Sequence, residues 1–102
     1  DLNLDVKYQV YVMEMLRAIA IERQMVIMTI CHDLNITSKY AHKVIMLARP
    51  GKIHAVGTPE EVLTQENIRE VYGINCRVQM DEETKKPYVL LGSAIMGAAE
   101  DY

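Results

Sequence analysis

His32 and Asp33 stand where the apolar run Val26-Ile27-Met28-Thr29-Ile30-Cys31 gives way to Leu34-Asn35. An imidazole titrates near neutrality and is a directional hydrogen-bonding group, so a His-Asp pair suits proton handling or contact with a charged ligand. A buried strand that ends on polar, titratable side chains is a common way to put chemistry at the rim of an α/β sheet, because ligands bind beyond the carboxyl ends of parallel strands. Taken by itself, a histidine at a strand end is more often a structural hydrogen-bonder than a catalyst. The surroundings of His32 must therefore carry any stronger claim.

The other reactive side chains offer less. His42 and His54 share no metal-ligand spacing with Cys31, Cys76 or each other, so both read as surface or edge residues and no metal site is expected. The two cysteines sit within apolar stretches, as small hydrophobes do, and the seven methionines read as core filler. Gly92-Ser93-Ala94-Ile95-Met96-Gly97 has the glycine spacing of a phosphate-binding loop. Ala98-Ala99 follows, where such a loop needs a lysine to neutralise phosphate charge and a hydroxyl to hold Mg²⁺. Nor does the chain contain an apolar strand ending in Asp-Glu, or the sequence Leu-Ser-Gly-Gly-Gln.

The elements that position His32 follow from periodicity. Val6, Val10, Met13, Leu16 or Arg17, and Ala20 recur at helical spacing after Asp5, which is placed to cap a helix running to about Arg23. Residues 25–31 are too uniformly apolar for a sheet with one wet face, and the expectation is a central parallel strand buried on both sides. A short helix from Asp33 or Leu34 to about Ala41 follows, with Ile36, Tyr40 and Ala41 inward. Next come a strand over 44–48, a Pro50-Gly51 turn and a partner strand over 52–56. Thr58-Pro59-Glu60-Glu61 is a helix start with a capping box, and a second helix over 65–72 stops at Gly73. Residues 75–80 and 87–91 form a last hairpin around the polar turn 81–86, and 93–102 read as a frayed tail.

At 102 residues the chain holds one small domain, burying about two thirds of the surface its unfolded form exposes. A net charge of −3, with both signs interleaved, excludes a basic nucleic-acid groove. No apolar stretch approaches the roughly 20 residues that span a bilayer.

In order and spacing, Asn3-Leu4-Asp5, the helix, the apolar segment ending in His32-Asp33-Leu34-Asn35, the 43–57 hairpin and Gly57-Thr58-Pro59-Glu60-Glu61-Val62-Leu63 resemble the second half of an ABC transporter ATPase domain. Glu66-Asn67-Ile68-Arg69-Glu70-Val71-Tyr72-Gly73-Ile74 and the hairpin after it resemble, more narrowly, the ATPases of importers for iron-siderophore complexes, haem and vitamin B12. The resemblance implies an α/β fold: a partial P-loop NTPase-type sheet with flanking helices and a C-terminal β-hairpin. It divides the chain into an ATPase-core part (1–74), a hairpin extension (75–92) and the tail (93–102). Two positions depart from the family pattern: Leu2 stands where a small or polar residue is usual, and Lys85 lies near a usual glycine.

The same resemblance makes His32 the switch histidine, which reaches the γ-phosphate of ATP and helps orient the attacking water. Asn3, Leu4 and Asp5 become the D-loop, which crosses the dimer interface to the partner's nucleotide site. The complete protein would then use ATP and Mg²⁺, pair with a second ATPase subunit, and sit on the inner face of the cell membrane beneath a permease. The chain has no initiating Met and reads as starting inside this longer protein. Without its phosphate loop, the fragment is expected to bind no ATP, to be inactive alone and to self-associate. The competing expectation is a stand-alone α/β interaction or regulatory domain that associates through its C-terminal hairpin.

Overall fold

The computed structural model describes residues 2–95, which fall into two units, Asp1–His32 and the chain from Asp33 onward. The first unit is one long helix, α1 (Leu2–Arg23), followed by a segment without regular secondary structure. The helix is already formed at Leu2, four residues before the first helical position the sequence suggests, so Asp5 lies within the helix and is not its N-cap. A carboxylate there still favours the helix, because it faces the positive end of the backbone dipole. Val10, Met13, Leu16 and Ala20 are half-buried, together with Val12, as the helical period suggests, whereas Val6, expected on the same face, is exposed. Gln24, with φ 51°, ends the helix, and the Met25 N–H donates to the Ala20 carbonyl at 3.0 Å.

Residues 25–31 form neither helix nor strand and belong to no sheet, which corrects the expectation of a central parallel strand. A strand is defined by ladder partners, and none of the described residues supplies one. The consequence is exposure: Val26, Met28 and Ile30 are 95%, 83% and 87% accessible. Met25 and Ile27 are exposed as well, so the segment presents apolar side chains to solvent, a feature that folded proteins normally cover or blunt.

The second unit contains α2 (Leu34–Tyr40), β1 (Val44–Ala48), β2 (Lys52–Gly57), α3 (Pro59–Val62), α4 (Gln65–Tyr72), β3 (Ile74–Met80) and β4 (Pro87–Ala94). It is an α/β unit with two separate antiparallel pairs, β1 with β2 and β3 with β4. The first pair runs from Val44 opposite Gly57 to Ala48 opposite Lys52, with a bulge at Met46/Leu47; the second aligns Cys76 with Leu91 and Met80 with Pro87. The Arg49–Pro50 peptide at the first turn is cis. Residues 93 and 94 of the expected tail belong to β4, while 96–102 lie outside the described residues, as does the glycine pattern's end at Gly97.

Burial of Val44, Met46, Val62, Leu63, Ile68, Val71 and Val89 builds the core of this unit, with Tyr40 also buried. Local chemistry explains why the helices between the hairpins form. Thr58 Oγ1 accepts from the Glu61 N–H at 3.3 Å while Glu61 Oε1 accepts from the Thr58 N–H at 2.9 Å, the capping box the sequence announces. These bonds hold the Glu61 carboxyl below its ordinary range. Thr64 caps α4 through a single bond, its Oγ1 accepting from the Asn67 N–H, and Gly73, at φ 68°, closes it in the left-handed conformation that a glycine adopts without a Cβ clash. Of the methionines, Met46 alone among the described residues is buried. Met15, Met25, Met28 and Met80 are about half exposed or more, so core filling is not their general role.

Candidate functional site

Within the first unit, the segment after α1 returns beside the N-terminal half of that helix. Thr29, Ile30, Cys31 and His32 line an open groove of about 500 Å³ together with Asp5, Tyr8, Gln9, Val12 and Met13. The helix contribution is one face, since these five positions are spaced by three and four residues. Asp5 and His32, separated by most of the unit in sequence, thereby line one groove. Both are exposed to solvent. Asn3 and Leu4 have their backbone in the first turn of α1, directly before Asp5.

The groove mixes hydrogen-bonding groups (Asp5, Tyr8, Gln9, Thr29 and His32) with an apolar wall of Val12, Met13, Ile30 and Cys31. Such a surface can orient a neutral or hydrogen-bonding ligand. It does not fit a triphosphate unaided: the lining holds no lysine or arginine, and its one carboxylate is Asp5. A polyanion held there would need cations and backbone N–H donors from outside these nine residues. Tyr8 and Gln9 were not singled out by sequence. The signal was available, because both lie one helical turn after Asp5 on the face that Val12 and Met13 continue.

Asp33, in the second unit, acts as the N-cap of α2. Its Oδ1 accepts from the Asn35 N–H at 2.9 Å and the Ile36 N–H at 3.0 Å, satisfying donors that no helical carbonyl can reach. The Asp33 side chain is thus committed to structure in the arrangement described. In α2 and at its C-cap, Ser38 (1% exposed) and Tyr40 are buried, with Ile36 and Ala41 half-buried; Ser38 is the buried position that periodicity does not single out. Its hydroxyl donates to the Pro87 carbonyl. His54 stays on the surface of β2, where its Nε2 lies 3.0 Å from Glu70 Oε2, and His42 is exposed between α2 and β1. Burial raises the Cys76 thiol above its ordinary range, which disfavours the reactive thiolate.

These features define a small α/β segment carrying an exposed histidine beside an acidic helix start. No family model matches the chain. It is, however, similar to the hemin import ATP-binding protein HmuV of Escherichia coli O157:H7, with 35% identity over 86% of this chain and 34% of that protein. It is also 35% identical to HmuV of Rhizobium meliloti over 92% of the chain and 35% of the relative. The ferric enterobactin transport ATP-binding protein FepC of Escherichia coli K12 is 36% identical over 85% and 32%. The chain is homologous to the ATP-binding subunits of ABC importers, and it spans about a third of the length of these relatives. No helix among the described residues is long and apolar enough to cross a membrane.

Proposed function

We propose that this chain is the C-terminal part of the ATP-binding subunit of an ABC importer, of the kind that takes up haem, ferric siderophores or cobalamin. The named relatives support the haem and siderophore classes. The single observation that carries the assignment of the site is the convergence of Asp5 and His32 on one groove. In the complete subunit, ATP and water give ADP and phosphate. His32 serves as the γ-phosphate sensor, its imidazole donating to the phosphoryl oxygens as charge redistributes and helping to orient the water. Phosphoryl transfer is mostly positioning and charge stabilisation, and a directional donor suits both. Asn3, Leu4 and Asp5 form the D-loop and face the nucleotide site of a second, identical subunit.

Residues 25–31 join a parallel P-loop-type sheet in the complete subunit, and the exposure of Val26, Met28 and Ile30 supports this, since neighbouring strands would cover them. Residues 1–74 then count as ATPase core and 75–92 as a hairpin extension. The missing positive charge of the groove comes from the phosphate loop elsewhere in the subunit, as do the Mg²⁺ ligands. Accordingly the 102 residues alone neither bind nor hydrolyse ATP. The subunit works beneath a transmembrane permease, on the inner face of the cell membrane.

Vesicles carrying the complete subunit with its permease test the importer reading. Hydrolysis is expected to rise when the haem- or siderophore-loaded binding protein is added, and indifference to every such solute contradicts it. Calorimetry of the 102-residue chain with MgATP is expected to show no binding heat; micromolar affinity would overturn the claim of an incomplete site.

A further inference from the structure

Asn35 makes a two-point hydrogen bond to a single residue 54 positions away. Its Oδ1 accepts from the Val89 N–H at 2.7 Å and its Nδ2 donates to the Val89 carbonyl at 3.0 Å. A side-chain amide has the donor and acceptor of a peptide group, so Asn35 occupies the place that a neighbouring strand would take beside β4. The contact is partly buried, where an unpaired partner is costly. Asn35 also donates its backbone N–H to Asp33, so one residue ties the α2 cap to the hairpin.

The link is repeated along α2. Ser38 donates its hydroxyl to the Pro87 carbonyl from a buried position. At the far end, Lys86 Nζ donates to the Ala41 carbonyl at 3.1 Å and the Ser38 carbonyl at 3.4 Å, a cation at the negative end of the helix. A seven-residue helix has little stability of its own, so these tertiary bonds determine where it sits. Its N-cap, Asp33, is bonded directly to His32.

We propose that the β3–β4 hairpin fixes the backbone next to His32 through Asn35, making Asn35 a positioning residue for the histidine. The inference rests on the reading of His32 as the γ-phosphate sensor. A sensor must meet its phosphate to within a fraction of an ångström, and a residue joined by one peptide bond to the cap of a short helix gains a fixed neighbour only if that helix is anchored. The hairpin extension thereby gains a defined role, since it supplies the Val89, Pro87 and Lys86 partners that anchor α2.

The test uses the complete ATPase subunit, comparing the wild type with Asn35→Ala, His32→Ala, the double variant and Lys86→Met. Asn35→Ala is expected to lower kcat roughly ten- to a hundredfold with KM for MgATP held within about twofold. Added to His32→Ala, the same change is expected to alter kcat by less than about twofold, because its effect runs through the histidine. An equal loss in both backgrounds overturns the proposal in favour of general destabilisation. Wild-type turnover in Asn35→Ala beside a strongly slowed His32→Ala overturns the proposal alone. Wild-type turnover in His32→Ala removes the sensor reading, and the proposal with it. If Asn35→Ala does not fold, Lys86→Met loosens the same helix from its outer end and is expected to show the same kcat-selective loss at a few-fold size, again absent in the His32→Ala background; an unchanged kcat overturns the proposal.

Discussion

Ile68 and Ile30 offer the same side chain in opposite surroundings, 0% and 87% exposed in the 102-residue chain. Replacing either with alanine deletes the same carbons, so burial decides the difference. At Ile68 the loss of transfer free energy is about 0.8 kcal/mol for each of roughly three methyl or methylene groups. The cavity left among Val62, Leu63, Val71 and Val89 adds about 1 kcal/mol, giving roughly 3–4 kcal/mol in total. At Ile30 no cavity forms, and the expected change is within about 0.5 kcal/mol. Urea denaturation followed by circular dichroism reads both values from the shift in midpoint at constant slope. Equal losses at the two positions would refute the assignment of the core to the Asp33-onward unit. The complete subunit adds a second comparison: if residues 25–31 enter a parallel sheet there, Ile30→Ala rises to about 2–5 kcal/mol, matching Ile68→Ala. A near-neutral Ile30→Ala in the complete subunit contradicts the sheet.

Three further outcomes are expected of the 102-residue chain. Bonds to Thr58 lower the folded-state pKa of Glu61, so its stabilising contribution is fully present above the ordinary Glu range and is lost as pH falls through the lowered folded value. Glu61→Gln should flatten that acid limb in melts taken as a function of pH, and an unchanged limb would exclude the capping box as its source. Lys85 holds φ 61°, a left-handed conformation that costs a side-chain-bearing residue about 1 kcal/mol, so Lys85→Gly should raise the denaturation midpoint; a fall would show that chain entropy outweighs the strain. The exposed apolar side chains of residues 25–30 are expected to drive self-association visible by light scattering, and a monodisperse monomer at high concentration contradicts this.

What the sequence announces best are elements whose signals are local. Thr58-Pro59-Glu60-Glu61 carries its own capping box, Gly73 its own stop, and the 44–57 hairpin its own turn, so the position of each is written in adjacent residues. The unusual glycine position at Lys85 is also legible, and its positive φ gives the physical reason for a glycine there. Residues 25–31 mislead because an apolar run specifies burial only when partners exist to bury it, and periodicity says nothing about partners. Asp5 reads as a cap because an aspartate before an apolar repeat looks the same at N-cap and first-turn positions. The role of Asn35 is not legible at all: its partner, Val89, is 54 residues away, and nothing local separates a clamping asparagine from a solvated one. The groove itself is half legible, since Asp5 and His32 each stand out while their shared lining requires the fold.

Under the proposed function, His32 acts on bound nucleotide without being needed to hold it. ATP hydrolysis and MgATP affinity measured side by side on the complete subunit and its His32→Ala variant test this most directly. Turnover is expected to fall by about a hundredfold or more while affinity stays within a few-fold, the pattern of an interaction made only in the transition state. Wild-type turnover in the variant, or a loss of nucleotide affinity that accounts for the whole defect, would contradict it.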